Sequence, residues 1–219
     1  MANIFVIGAT GGVGQYLCPM LTNNGHQVTG LHRSQDQAET LRIQGVLPVK
    51  GDLMNMTSEQ LTDMTKSSDV IVFTAGAAGS GVDRTSMIDG LGPVKMIEAA
   101  AANGIKRIYL VSAFPESARN DNLGAAFEHY MRVKKEADVA VANSGLDWVI
   151  IRPGTLLHED ADNHVTLGSA IQYGTVKRGN VASVIAKLID TPTIRREVLE
   201  LTDGDISVDE AVNKISHLR

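Results

Sequence analysis

The sequence predicts an α/β protein in which a mostly parallel, doubly wound sheet of about seven strands lies between two layers of helices. Short apolar runs recur along the chain, and a helical pattern follows each of them. Most of these runs lack the polar-apolar alternation of a half-exposed strand, as expected of strands that helices cover on both faces. Sheets of this kind bind ligands at the carboxyl ends of their strands, where the strand order reverses.

The predicted elements follow one another without an internal repeat, low-complexity tract or linker. The first strand is the apolar run NIFVI, and later runs such as RIYLV and DWVII have the same character. Several helices follow a capping residue such as Ser58 or Ser207. The predicted strands are 3–7, 27–31, 46–49, 69–73, 107–111, 147–151 and 197–201. The predicted helices are 12–24, 36–44, 58–65, 84–103, 123–143, 181–190 and 207–217.

Residues 153–180 form the longest predicted irregular segment, which contains Pro153 and four glycines. Connections of this length inside a compact domain are often functional, so we expect a small substrate-side segment here. A chain of 219 residues with 43% hydrophobic content can bury one sizeable core or at most two small ones. We therefore expect residues 1–219 to form a single domain.

Composition and charge exclude several classes of protein. The net charge is -5 and no block of basic residues occurs, which argues against a nucleic-acid partner. Cys18 is the single cysteine, so we expect no disulfide, a reducing compartment and an apolar role for its side chain on the first helix. We find no signal sequence and no apolar run of membrane-spanning length, which predicts a cytoplasmic protein without a membrane partner. The sequence is compatible with a monomer or a homodimer.

Three glycines stand where the first apolar strand turns into the first helix: Gly8, Gly11 and Gly14. Gly8 permits a tight turn out of the strand, and Gly14 lets the helix pack closely. A side chain at Gly11 would hold a diphosphate away from the backbone N–H groups at the helix N-terminus. Because the three glycines directly follow a strand and directly precede a helix, they predict a nucleotide-binding site.

Several further motifs accompany this turn in the expected order. They are GATGGVG at 8–14, Gly51-Asp52-Leu53, Val111-Ser112, Tyr130-x-x-x-Lys134 and SGLDWVIIRPG at 144–154. With them the chain resembles the short-chain dehydrogenase/reductases, in particular the atypical NAD(P)H-binding members related to NmrA-like and biliverdin-reductase-B-like proteins. The resemblance covers most of the chain and implies a Rossmann-type fold and a nicotinamide dinucleotide as cofactor.

The resemblance also implies roles for single residues. Asp52 would read the adenine amino group, and the turn Thr74-Ala75-Gly76 would line the cofactor. Independently of the resemblance, the fixed φ of Pro153 and the freedom of Gly154, just after the sixth predicted strand, suit a turn of the chain over the nicotinamide. The expected cofactor-binding residues are Gly8, Thr10, Gly11, Gly12, Val13, Gly14, Arg33, Asp52, Leu53, Thr74, Ala75, Gly76, Lys134 and Pro153.

Arg33 favours NADP(H) over NAD(H). It follows the second predicted strand, where an NAD-selective protein would place an acidic residue against the ribose hydroxyls. The planar guanidinium of arginine can make charge-assisted and often bidentate hydrogen bonds to a 2′-phosphate. Asp36 argues against a preference for NADP(H), since a nearby carboxylate would repel that phosphate. NAD(H) therefore remains possible, and Arg33 would then be an exposed loop cation.

Tyr130 and Lys134 are four residues apart on a predicted helix, so both project from one face. The resemblance implies that Tyr130 is a general acid/base, that Lys134 lowers the pKa of its phenol and bonds the nicotinamide ribose, and that Ser112 orients the substrate. In the alternative interpretation, Tyr130 packs against Phe127 and Lys134 is an ordinary surface cation. The absence of a serine pair at Ser112 weakens the catalytic interpretation, and so does Thr74 where many active relatives have asparagine.

Other polar residues suggest structural roles. We expect His129 to be exposed, and we expect His158, His164 and Asp162 to belong to a solvated loop, with no metal site. Trp148 is predicted to lie in the core. Arg152 would pair with a buried acid or with the substrate.

These observations favour an NADP(H)-dependent oxidoreductase that reduces a small carbonyl, a quinone or a similar substrate. One variant reduces a flavin, quinone or biliverdin-like substrate and takes its proton from solvent. The alternatives are a non-catalytic NADP(H)-sensing regulator of the NmrA-like kind and, less favoured, a nucleotide-sugar epimerase or dehydratase. Residues 78–90, 113–124 and 154–178 are expected to set the substrate.

Overall fold

A nine-stranded sheet runs through the part of the chain that the computed structural model describes, residues 1–117, 121 and 123–217. Its strand order is β3-β2-β1-β4-β5-β6-β10-β8-β11, and all neighbours are parallel except at β8. A parallel pair, β7 and β9, lies outside it. The strands are β1 (Asn3–Ile7), β2 (Gln27–His32), β3 (Leu47–Lys50), β4 (Val70–Phe73), β5 (Arg107–Val111), β6 (Asp147–Pro153), β7 (Thr155–Leu157), β8 (His164–Gly168), β9 (Thr175–Lys177), β10 (Glu197–Asp203) and β11 (Ile206–Ser207).

Helices cover both faces of this sheet, which confirms the predicted doubly wound α/β architecture. Side chains of β1 alternate between two hydrophobic clusters: Ile4 joins the cluster with α1, α7 and α8, and Phe5 joins the cluster with α3, α5 and α6. No helix of the described residues is long and apolar enough to cross a membrane. The helices are α1 (Gly14–Asn23), α2 (Gln35–Ile43), α3 (Ser58–Thr65), α4 (Val82–Arg84), α5 (Gly92–Ala102), α6 (Ala125–Ala142), α7 (Arg178–Asp190) and α8 (Val208–His217).

The sheet has two more strands than the seven predicted, β8 and β11, and residues 153–180 are not irregular. This segment contains β7, β8 and β9, and β8 pairs antiparallel with β10 at the sheet edge. The strands are short, and β9 runs directly into α7, so no long apolar run marks them in the sequence. Pairing with β8 also extends β10 beyond the predicted end at residue 201, to Asp203.

The helix predicted at 84–103 is divided into three parts. A π-helical stretch, Thr85–Leu91, separates α4 from α5 and carries the buried side chain of Asp89. Helix α7 begins at Arg178, three residues before the prediction at 181, because Lys177 ends β9 and caps the helix without a side-chain hydrogen bond. Cys18 and Trp148 are buried, as predicted.

Candidate nucleotide-binding site

The strand order reverses between β1 and β4, and a cavity of about 1160 Å³ lies at the carboxyl ends of these strands. Doubly wound sheets bind their ligands at this kind of position. The turn after β1, the ends of β2 and β4, residues 76–82 and one face of α6 all contribute to the lining.

The glycine turn, residues 8–14, joins β1 to α1 and is approached closely by other backbone segments. Gly8 has a φ of +92°, and a methyl group there would lie 2.5 Å from Ala75 N at the end of β4. A methyl group at Gly14 would overlap the Gly8 carbonyl oxygen, so α1 starts directly against the turn. Thr74 Oγ1 donates a 3.2 Å hydrogen bond to that same carbonyl. The turn therefore presents bare backbone at the start of a helix, an arrangement that suits an anionic diphosphate.

The end of β2 presents the cation that was expected near the adenosine ribose. Arg33 lines the cavity with an exposed side chain, and its guanidinium has no hydrogen bond or ion pair with another described residue. Its backbone N–H donates a 2.8 Å hydrogen bond to Gln37 Oε1, and Gln37 also lines the cavity. Asp36 is exposed and does not belong to the lining, so the acid expected to repel a phosphate is not part of this surface.

Tyr130 and Lys134 line the same cavity from one face of α6. Lys134 is only 4% exposed, and its Nζ donates a 2.9 Å hydrogen bond to the carbonyl oxygen of Val111 at the end of β5. The same Nζ lies 3.5 Å from Asp89 Oδ1. The interpretation of Lys134 as an ordinary surface cation is therefore wrong.

Asp89 is the counter-ion of Lys134, and the sequence analysis missed it. Its side chain is 1% exposed, and Oδ2 accepts a 2.9 Å hydrogen bond from the backbone N–H of Ala77. The carboxylate thereby joins the loop after β4 to α6. It belongs to the π-helical stretch, and π-helical turns are frequent at functional sites. The charge of Lys134 is thus already balanced by an acid within the protein.

The pKa of Tyr130 shifts in the direction opposite to the one expected. Burial raises the pKa of this phenol above its ordinary value, and the negative charges of Asp89 and Asp138 raise it further. Its ring lies 6.1 Å from that of Phe127, centroid to centroid, so the expected aromatic contact is present as well. The expected lowering by Lys134 does not occur: burial is the largest cause of the shift, and the Lys134 ammonium group lies 3.5 Å from the Asp89 carboxylate. In this arrangement Tyr130 keeps its proton, as a proton donor requires.

Ser112 lines the cavity but is largely buried and faces α6. Ser112 Oγ and Asp138 Oδ1 are buried atoms without a hydrogen-bond partner of normal geometry among the described residues. Burial raises the pKa of the Asp138 carboxyl, and the contacts with Ser112 and Arg152 partly oppose that rise. Arg152 Nη2 lies 3.0 Å from Asp138 Oδ2, which confirms the predicted pairing of Arg152 with a buried acid.

Most of the predicted site residues meet in this cavity, but two do not. Gly14 lies behind the turn against the Gly8 carbonyl, and Pro153 is buried where β6 pairs with β10. Of the segment 113–124, residues 118–120 and 122 lie outside the described residues, and Leu123 lines the cavity. The predicted residues in the lining are Gly8, Thr10, Gly11, Gly12, Val13, Arg33, Asp52, Leu53, Thr74, Ala75, Gly76, Ser112, Tyr130 and Lys134.

Leu156 and Arg178 also line the cavity, and the sequence analysis did not select either of them. Both belong to the substrate-side segment, but Arg178 lies against the glycine turn: a methyl group at Gly12 would lie 2.6 Å from its Nε. A basic residue at the first position of a helix is the signal that could have identified it. That signal was hidden because the helix was predicted to begin at residue 181.

Two histidine predictions have different outcomes. His129 is half-buried, not exposed: its Nε2 lies 2.8 Å from Ser86 Oγ and its Nδ1 2.8 Å from Arg132 Nη2. His164 is exposed, as expected of a solvated residue, but it begins β8 and is not part of a loop; its Nδ1 hydrogen-bonds the carbonyl oxygen of Asp162. The described part of the chain contains no group of three or more His, Cys, Asp or Glu side chains that could hold a metal ion.

The reversal of strand order, the glycine turn and the adjoining cavity define a nucleotide-binding protein of the Rossmann type. The model of the NAD(P)H-binding family matches residues 8–192. The chain belongs to this family, within the atypical short-chain dehydrogenase/reductases that the sequence resembles.

Full-length relatives extend this assignment. The Bacillus subtilis (strain 168) protein named "Uncharacterized sugar epimerase YhfK" is 34% identical over 97% of this chain and 99% of its own length. A solved structure from Bacillus halodurans, provisionally classed as a NAD-dependent epimerase/dehydratase, is 32% identical and covers 98% of this chain and 100% of its own, with a TM-score of 0.88. The anaerobillin reductase ChuY of Escherichia coli O157:H7 is 26% identical over 94% of this chain and 98% of its own, with a TM-score of 0.79.

Proposed function

We propose that this protein is an NADP(H)-dependent oxidoreductase that reduces a small carbonyl, a quinone or a similar substrate. The observation that carries the proposal is that Tyr130 and Lys134 line the same cavity as the glycine turn. A dinucleotide whose diphosphate lies on residues 10–13 would then extend toward α6. The name of the reductase ChuY supports the same class of reaction.

The residues around this cavity suit a reduction. Bound NADPH would supply the hydride from C4 of its nicotinamide. Tyr130 would donate its phenolic proton to the oxygen atom of the substrate carbonyl as that oxygen gains negative charge. A phenol is already protonated at neutral pH, and burial and two nearby carboxylates raise the pKa of Tyr130 further, so the proton is present but the phenol is a weaker acid than in water. Lys134 would bond the nicotinamide ribose while Asp89 and Val111 hold its ammonium group in position.

We assign the preference for NADP(H) to Arg33. Its guanidinium lines the cavity without a partner among the described residues, whereas Asp36 lies outside the lining. Charge-assisted hydrogen bonds to a phosphate discriminate by roughly tenfold to hundredfold. Arg33→Met should therefore weaken NADPH binding by that factor and leave NADH binding nearly unchanged. Equal weakening of both would remove the assignment.

The activity test uses Tyr130→Phe. General acid catalysis typically contributes about a hundredfold or more, so turnover should fall by at least that factor while NADPH still binds. Tyr109→Phe is the matched control, since Tyr109 lies outside the cavity and its hydroxyl donates a 3.1 Å hydrogen bond to the Leu188 carbonyl oxygen. Normal turnover in Tyr130→Phe would instead support the variant in which solvent supplies the proton. Binding without turnover of any carbonyl, quinone or flavin would support the NADP(H)-sensing alternative.

An epimerase or dehydratase acting on a nucleotide sugar is the second candidate. The names of the Bacillus subtilis and Bacillus halodurans relatives favour it. Such a reaction begins with a tyrosine that accepts a proton, and the raised pKa of Tyr130 opposes that step. The two candidates differ in stoichiometry, because an epimerase consumes no net reduced cofactor. Conversion of a nucleotide sugar without loss of NADPH absorbance would replace the first proposal.

A further inference from the structure

The guanidinium of Arg178 lies over the middle of the glycine turn. A methyl group at Gly12 would lie 2.6 Å from Arg178 Nε and 2.8 Å from its Cδ. Glycine at position 12 therefore makes room for this side chain. Arg178 and Gly12 both belong to the lining of the cavity, next to Gly11 and Val13.

The position of Arg178 is fixed from two sides. Its Nη1 donates a 3.1 Å hydrogen bond to the carbonyl oxygen of Leu156 in β7. The backbone N–H of the next residue, Gly179, donates to the Glu159 carbonyl oxygen, and a methyl group at Gly179 would overlap the backbone of Ala161. Residues 159–161 thus pack against the start of α7. The arginine is held in place and is not a freely moving surface side chain.

The remaining donors of this guanidinium are available. Nε and Nη2 make no hydrogen bond with a described residue, and no carboxylate of the described chain lies within ion-pair distance of Arg178. The positive charge of Arg178 also acts on Tyr16. Burial and Asp160 raise the pKa of this phenol, and Arg178 partly opposes that rise. A half-buried cation with two unused donor groups therefore faces the turn.

A diphosphate on the glycine turn would bind more tightly with such a cation beside it. The backbone N–H groups and the helix dipole of α1 supply partial charges only, equivalent to about half an elementary charge. A diphosphate carries about two negative charges, and the planar fork of arginine suits its oxygen atoms. Arg33, after β2, is placed for the 2′-phosphate of the adenosine ribose and not for the diphosphate.

We infer that Arg178 binds the diphosphate of the dinucleotide from beside Gly12, at the edge of the glycine turn. This inference rests on the proposed binding of NADP(H). It gives the substrate-side segment a second task, since β7 and residues 159–161 position a cofactor ligand. Because NADP(H) and NAD(H) share the diphosphate, Arg178 contributes to affinity for both and to selectivity for neither.

The test compares Arg178→Met with Arg33→Met against three ligands, NADPH, NADH and adenosine 2′-monophosphate, by equilibrium titration. Arg178→Met should weaken the binding of NADPH and of NADH by the same factor, roughly tenfold to hundredfold. It should leave the binding of adenosine 2′-monophosphate unchanged. Arg33→Met should weaken the binding of NADPH and of adenosine 2′-monophosphate and leave the binding of NADH unchanged. Arg178→Lys should recover part of the affinity, because it keeps the charge and loses the fork.

Two controls separate this contact from other effects. Arg42→Met removes the same charge from the exposed last turn of α2, outside the cavity, and should change none of the three affinities. Melting temperatures show whether Arg178→Met is folded. The inference is overturned if folded Arg178→Met binds NADPH and NADH as wild type does. It is also overturned if the affinity of this variant for adenosine 2′-monophosphate falls by the same factor as its affinity for the dinucleotides. If the wild-type protein binds neither dinucleotide, the proposed function fails as well, and this result is distinct from a loss confined to position 178.

Discussion

The two ends of the cavity are built in different ways. At the glycine-turn end, residues 8–14, backbone meets backbone, and Gly8 approaches Ala75 so closely that no side chain fits. At the α6 end, charged side chains meet one another: Lys134 lies beside the buried Asp89, and outside the lining Asp138 lies beside the half-buried Arg152. The comparison teaches that a site for binding can follow from local backbone geometry, whereas a site for chemistry depends on charges brought together by packing.

The largest expected effect tests the α6 end through Asp89→Asn. Removing one charge of a buried pair leaves the other without compensation, which typically costs about 3–5 kcal/mol. We expect the free energy of unfolding, measured by urea titration, to fall by about this amount. The matched control is Asp63→Asn, because Asp63 pairs with Lys66 at the surface, and exposed pairs contribute little. Similar losses in both variants would show that the Lys134 pair is not energetically special.

The next effect tests the glycine-turn end through Gly8→Ala. Position 8 combines a φ of +92° with a 2.5 Å approach to Ala75 N, so strain and overlap add. We expect a loss of about 2–4 kcal/mol in the free energy of unfolding. Gly104→Ala is the matched control: its φ is +70°, and no described atom lies within 4 Å of the added methyl group. It should lose only about 1 kcal/mol, and equal losses would contradict the close approach.

Alkaline pH sharpens the comparison at the α6 end, where the phenol of Tyr130 lines the cavity. Burial, Asp89 and Asp138 raise the pKa of Tyr130 in the folded protein. Below about pH 10 both the folded and the unfolded chain keep this proton. Above that pH the unfolded chain releases it first, so the free energy of unfolding falls by up to about 1.4 kcal/mol per pH unit.

The measurement compares wild type with Tyr130→Phe by urea unfolding between pH 9 and pH 11. The variant should lose stability less steeply above about pH 10. The free energy of unfolding of the variant still falls with rising pH, because burial also raises the pKa of Tyr109. Identical slopes in the two proteins would mean that the Tyr130 phenol is not buried beside the two carboxylates.

The smallest effect concerns Cys18, which lies under the glycine-turn end on α1. Burial raises the pKa of its thiol to about 12, so very little thiolate is present at pH 8. The folded protein should react with iodoacetamide far more slowly than the protein in urea. Mass spectrometry gives an unambiguous readout, because the sequence contains one cysteine. Equal rates would show that α1 opens readily beneath the turn.

The same contrast explains how much could be predicted from the sequence. The succession of strands and helices along the chain and the glycine turn follow from short-range patterns, namely apolar runs, helical spacing and the placement of three glycines. Asp89, Asp138 and Arg178 could not be placed in this way, because each acquires its role from a residue distant in the chain. The strands within residues 153–180 were missed because β7, β8 and β9 are short and owe their pairing to tertiary contacts.

The most direct test of the central claim is a crystal structure of the protein with NADPH bound. The account predicts a diphosphate on the backbone of residues 10–13 beside Arg178, a 2′-phosphate at Arg33, and nicotinamide C4 bordering the same space as the Tyr130 hydroxyl. A diphosphate bound elsewhere, or a nicotinamide ring directed away from α6, would contradict it.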